Sequence, residues 1–274
     1  MRARTLAIAL IALGCGIRPA RADQPLAPAP VPAATGTAQD RLVLSGNGEW
    51  LTGGAGGWGA SALWSHTFES ADVLGGGAEY QHVADSHWTN GVLNGVLVLS
   101  QGPPTDLYAE LHEGSGDLAL RSFNYSVITA GALVTPLSWL SVQLEEKRVD
   151  VDTTHGNLPK LGLLFRVAPE VLVSASYADS AGGNLGTRLT SVRVDYTGPV
   201  TALAGAATGR AAPAVLNLLG QIVAPSPKLT ELFAGVGRRF GRAEWQLLAD
   251  YEDLESFKRT TITLTCTFHL GGPP

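Results

Sequence analysis

Once the first residues are set aside, the chain has no pair of cysteines. Cys15 lies in an N-terminal apolar run, and only Cys266 follows it. An exported form therefore has no intramolecular disulfide, and its stability must come from strand pairing or a lipid environment. Helical signatures are missing too. There is no heptad, helical repeat or long amphipathic helix, and the apolar run TLAIALIALGCGI (Thr5 to Ile17) is too short to cross a bilayer as a helix. Basic excess is also absent. The formal net charge is −5, and the four arginines among residues 1–22 leave 15 basic against 24 acidic side chains in the remainder. That balance argues against nucleic acid as a partner.

What is present begins with an address. Arg2 and Arg4 precede the apolar run, and Ala20-Arg21-Ala22 forms a small-x-small site before Asp23, the layout of a cleaved signal peptide over residues 1–22. Leu13-Gly14-Cys15 offers a lipoprotein alternative, weakened by Ala12 where such signals carry Leu. Residues 23–39 are rich in proline and alanine and read as a disordered leader. Residues 40–270 have no composition break and form one expected domain of β type, followed by a tail at 271–274.

That domain alternates. In TITLTCTFHL, Ile262, Leu264, Cys266, Phe268 and Leu270 fall on one face, and Thr261, Thr263, Thr265, Thr267 and His269 on the other. Leu140, Val142 and Leu144 oppose Ser141, Gln143 and Glu145; Leu161, Leu163, Phe165 and Val167 oppose Arg166; Val192, Val194 and Tyr196 oppose Ser191, Arg193 and Asp195. Period two runs longer than the five or six residues usual in soluble strands. Every second turn is short and most carry proline: ESAD, QGPPT, TPLS, APE, TGP and FGR. Between them stand TGGAGG, ADSHWT, HEGSGD, DVDTTHGN, DSAGGNLGT, TGRAAPAVLNLLGQIVAPSP and EDLESFK, which read as longer loops. Short turns at one rim and long loops at the other predict a closed antiparallel transmembrane β-barrel. The count is about 14 strands within a range of 12–16, and the least defined part is Pro213 to Pro227.

Charge decides the facing. Glu49, Glu79, Glu110, Glu145, Arg166, Arg193 and Asp195 share the polar face and are the expected lumen lining. Ile262, Leu264, Cys266 and Phe268 are then expected to face lipid. Trp50, Trp58, Trp139, Trp245, Tyr177 and Tyr196 fall near strand ends, where interfacial girdles form. The alternative, a secreted soluble sandwich, would not need so regular a turn rhythm.

The stretch VDYTGPVTAL (Val194 to Leu203), with its tight turn at Tyr196-Thr197-Gly198-Pro199-Val200, resembles the YaiO-type outer-membrane β-barrel proteins of Gram-negative bacteria. Strand order and the closing alternating strand agree with that likeness over most of residues 41–270. The resemblance implies an outer-membrane location and this fold, in a family without an assigned activity. Barrels of this kind end on an aromatic residue read by the barrel-assembly machinery, whereas here Phe268 is followed by HLGGPP.

Other motifs carry less. GAGGWG matches GxGxxG in letters, but a strand follows where a nucleotide site needs a helix. His82, Asp85 and His87 supply at most part of a metal site and read as loop side chains. His66, His82, His112 and His269 offer imidazoles to an envelope-lipid hydrolase, yet neither GxSxG nor SxxK is present. Catalytic, metal and cofactor residues are therefore not assigned. Lys147, Arg148, Lys258 and Arg259 are expected at the loop rim, within reach of lipopolysaccharide phosphates, and Arg238, Arg239 and Arg242 at the opposite rim. The expected role is a channel or transport-related barrel in the cell outer membrane, solute unknown. The alternatives are a closed structural or surface-interaction barrel and, behind it, a lipid-modifying enzyme.

Overall fold

The structure is a computed structural model. It describes residues 38–270, apart from 85, 100–101, 119–120, 152–153, 212–226 and 256. The expected signal peptide, nearly all of the leader, the tail and most of the 211–228 segment lie outside the described residues.

Fourteen antiparallel strands close into one barrel. They are β1 (Gln39–Leu51), β2 (Gly56–Thr67), β3 (Val73–Val83), β4 (Ser86–Leu99) and β5 (Thr105–Leu118). Then come β6 (Arg121–Leu137), β7 (Leu140–Val151), β8 (Thr154–Ala168), β9 (Val171–Asp179) and β10 (Arg188–Thr197). The last are β11 (Val200–Arg210), β12 (Lys228–Phe240), β13 (Ala243–Leu254) and β14 (Phe257–His269). Each strand pairs with its sequence neighbours, and β14 returns to β1 from Arg41↔His269 to Leu51↔Arg259. Closure removes the sheet edge, so every strand has two partners. Gln39 and His269 both stand at the short-turn rim.

The turns correct one expectation. ADSHWT, HEGSGD, DVDTTHGN and EDLESFK are mostly strand, and only residues 84–85, 119–120, 152–153 and 255–256 separate the elements. Antiparallel pairing satisfies the backbone of these polar stretches wherever they can continue the ladder. The strands thus run on past the apolar band at this rim. Genuine loops remain at 52–55 and 180–187.

Outside, the wall is apolar between two aromatic girdles. Trp50, Trp58 and Tyr177 stand exposed toward the loop rim, and Trp139, Trp245 and Tyr196 toward the short-turn rim. Leu93, Leu144, Leu161, Val192, Leu232, Val236, Leu247, Ile262 and Leu264 are exposed between them. That is the surface of a membrane-spanning barrel. Cys266 shares the outward parity of Leu264 but is only 6% exposed, being flanked in register by Leu44 and Trp245. Phe268 is half-buried on the same side.

Toward the loop rim the pattern inverts. On β7, Val149 and Val151 point inward while Arg148 and Asp150 point out. On β6, Phe123, Tyr125 and Val127 are inside, with Ser122 and Asn124 outside. Trp88, Leu158, Leu189, Leu229, Leu254 and Phe257 join them in a single buried apolar cluster that draws on strands all around the barrel. Burying a large apolar side chain stabilises by about 1.5–3 kcal/mol, so this end has a core of the kind found in a soluble barrel.

Candidate functional site

Below the apolar cluster, the inner wall carries ionisable groups, most of them withdrawn from water. Strand parity puts Glu49, Glu79, Glu110, Glu145, Arg166, Arg193 and Asp195 on this face; Glu110 and Arg166 are half-buried and the others buried. Charges so placed cost several kcal/mol unless they are paired, and the structure pairs them in sectors.

On β7 and β8, Lys160 Nζ lies 3.4 Å from Glu145 Oε1. Tyr108 on β5 donates its hydroxyl to Glu145 Oε2 at 3.0 Å, and Gln143 Nε2 donates to both Tyr108 (2.8 Å) and Glu145 (3.1 Å). On β10, Arg193 folds along its own strand to ion-pair with Asp195. On β13, β14 and β1, Arg259 pairs with Glu252 and brings Nη1 within 4.0 Å of Glu49 Oε2. Oxygens of Glu231, Asp250 and Glu252 lie within 4.8 Å of one another beside that arginine.

The fourth sector joins β3, β4 and β5. His112 Nε2 is 2.5 Å from Glu110 Oε1, His112 Nδ1 is 3.7 Å from Glu79 Oε1, and Asn90 Nδ2 donates to Glu79 Oε2 at 3.4 Å. Gly114, opposite Asn90 in the register, has no room for a Cβ, which would strike the Thr89 carbonyl and Asn90.

Two rim assignments are corrected. Lys147 and Arg259 are not at the outer rim; both are buried inside, at 6% and 2% exposure. Each has the parity of an inner neighbour, Lys147 that of Glu145 and Arg259 that of Thr261, and the strand continues where a loop was expected. Arg148 and Lys258 do point outward and are exposed. Arg238 is also outward, stacked 5.1 Å over Phe240 at the short-turn rim.

The histidines disperse. His66 bonds Asp40 at 2.8 Å, near the short-turn rim. His82 and His87 face each other across β3 and β4 on the outer wall, and are strand residues, not loop residues; Asp85 lies outside the described residues. His269 stands 3.9 Å from Glu244 at the inner short-turn rim. His112 stands between two carboxylates, Glu79 and Glu110.

Lys147, Lys160, Glu231, Asp250, Glu252 and Arg259 were missed as lumen residues. Parity was the available signal: Lys160 leads the same inner row as Gly162, Leu164 and Arg166.

No family model matches the chain, and no curated protein matches it in sequence. Solved structures do resemble it. The TodX monoaromatic hydrocarbon channel, in its deltaS2 mutant form, matches at 10% identity with a TM-score of 0.55 over 89% of this chain and 91% of its own. The Acinetobacter baumannii outer membrane protein Omp33 matches at 12% identity with a TM-score of 0.52 over 84% and 98%. At such identity the likeness concerns architecture alone, and the architecture shared is a closed antiparallel β-barrel.

Proposed function

We propose that the protein is an outer-membrane channel, closed at its loop end in this conformation. The observation that carries this reading is the layering of the interior, with charged groups below and a dry apolar layer around Trp88, Phe123 and Phe257 above. Fourteen strands enclose more space than eight, whose interior side chains fill it. The polar wall, drawn together here in buried ion pairs, suits an aqueous path once those pairs part, and the apolar layer suits a gate. Kinship with the YaiO-type barrels is part of the proposal. The short-turn rim then faces the periplasm, and Arg148 and Lys258 are placed to meet lipopolysaccharide phosphates.

Planar-bilayer conductance of refolded protein tests the channel. Wild type should give rare, small, salt-dependent steps, and the double change Trp88→Ala with Phe123→Ala should make them larger or more frequent. Silence from both proteins, each shown to have inserted, would favour the second reading, a closed structural barrel held by its internal ion pairs. Exchanging Arg148 and Lys258 for Glu should weaken retention of lipopolysaccharide in co-purification; unchanged retention would remove that partner from the proposal.

A further inference from the structure

We propose that the inner wall binds one divalent transition-metal ion between Glu79 and His112. The proposal concerns a site in the wall and is independent of whether the lumen conducts.

The hydrogen bonds leave little choice of tautomer. Glu110 is 2.5 Å from His112 Nε2, and as a carboxylate it accepts, which puts the imidazole proton on Nε2. In the neutral imidazole Nδ1 is then a bare lone pair. It faces Glu79 Oε1 at 3.7 Å, beyond the 2.7–3.2 Å of an N–H···O bond. Neither atom has a hydrogen-bond partner among the described residues. Both residues are at least nine-tenths buried, as are Asn90 and Tyr125, whose Oδ1 and hydroxyl also lack partners there. Two buried acceptors aimed at each other repel unless something positive lies between them.

The spacing suits an ion. Ligand bonds of about 2.1 Å at a tetrahedral angle place two donor atoms about 3.4 Å apart, so a small inward shift of the 3.7 Å pair admits an ion. The surroundings suit it as well. A metal-bound histidine commonly donates its other N–H to a carboxylate, which fixes the ring and raises its basicity. Glu110 occupies that position. Asn90, by donating to Glu79 Oε2, turns Oε1 toward the imidazole. One imidazole nitrogen with carboxylate oxygen selects zinc, cobalt, nickel or copper over calcium and magnesium, which prefer all-oxygen sites. Water would complete the coordination of the ion.

The experiment is metal uptake by the refolded full chain after chelation, measured by equilibrium dialysis against Zn²⁺, with Mg²⁺ as control. Wild type should take up one Zn²⁺ per chain and ignore Mg²⁺. Glu79→Gln and His112→Gln should abolish uptake, and Glu110→Gln should weaken it by about 10–100-fold. His87→Ala on the outer wall should change nothing. No uptake by folded wild type would overturn the site, leaving a proton on Nδ1 to join the pair. Binding lost in His87→Ala but kept in His112→Gln would overturn it as well. If His112→Gln fails to fold, X-ray absorption of the wild-type zinc complex decides instead. One imidazole with light oxygen ligands supports the site, and a spectrum without imidazole refutes it.

Discussion

Leu144 and Val149 stand five residues apart on β7 and on opposite faces of the barrel wall. Leu144 is 55% exposed on the outside, and Val149 has no exposure on the inside. The strand does not break between them; Glu145 and Lys147 keep the inward parity throughout. What changes is the solvent, from lipid outside to water outside. One continuous sheet thus serves as a membrane barrel below and a soluble-type barrel above.

Charge substitutions should map that boundary. Leu264→Arg, in the apolar belt, should cost about 2–4 kcal/mol if it lies near mid-depth. Val149→Asp should cost on the order of 3 kcal/mol or more, by burying an unpaired charge in the upper core. Arg148→Leu, one residue away but outward, should stay within about 0.5 kcal/mol. Urea unfolding from vesicles reads all three, and equal tolerance of Val149→Asp and Arg148→Leu would refute the inversion.

The Arg193–Asp195 pair gives a second prediction. Both side chains are buried and bonded to each other. Arg193→Ala strands a buried carboxylate and should cost about 3–5 kcal/mol. Removing both charges together should cost less than either single change. A double variant weaker than both singles would show that each residue has a more important partner than the other.

Gly114 offers a test of packing. A Cβ at this inward position meets backbone, the Thr89 carbonyl and Asn90 Cα, which cannot rotate away. Gly114→Ala should therefore abolish or sharply reduce the heat-modifiable folded band on electrophoresis. Gly91→Ala, on the outer wall with its nearest atom 3.7 Å away, should leave that band intact.

Removing residues 271–274 should leave outer-membrane assembly unchanged or improved if Phe268 is what the assembly machinery reads. Loss of the folded band in membrane fractions would locate the signal in the tail.

At the short-turn rim, Asp72 accepts from Ser70 (2.6 Å) and from the Val98 amide (2.9 Å), and these bonds hold its carboxyl below the usual carboxylate range. A depressed acid stabilises above its unfolded pKa and loses that contribution as pH falls through the folded value. Protection of the Val98 amide from hydrogen exchange, after correction for intrinsic rate, should fall at pH below about 4 in wild type. In Asp72→Ala that acid-dependent change should vanish.

Much of this fold was readable because strand alternation is local. Leu140 to Leu144 announce their faces without knowledge of any neighbour, and turns such as Thr197-Gly198-Pro199 mark where the chain reverses. The loop-rim extensions were not readable that way. Polar stretches such as DVDTTHGN resemble loops until a partner strand supplies their hydrogen bonds. A visible clue remained in LSVQLEEKRVDV, where the apolar positions shift from even numbers to odd. The Glu79–His112 approach was out of reach, because it bridges β3 and β5 across an intervening strand. Only the register of β4 with both brings those side chains together.

The inverted end also makes insertion directional. Arg148, Asp150, Asp253 and Lys258 must cross the hydrocarbon on the outside of the wall before they reach water on the far side. Once there, they resist the return journey as a barb resists withdrawal. A barrel assembled this way is locked in place by its far end, without a disulfide among the described residues.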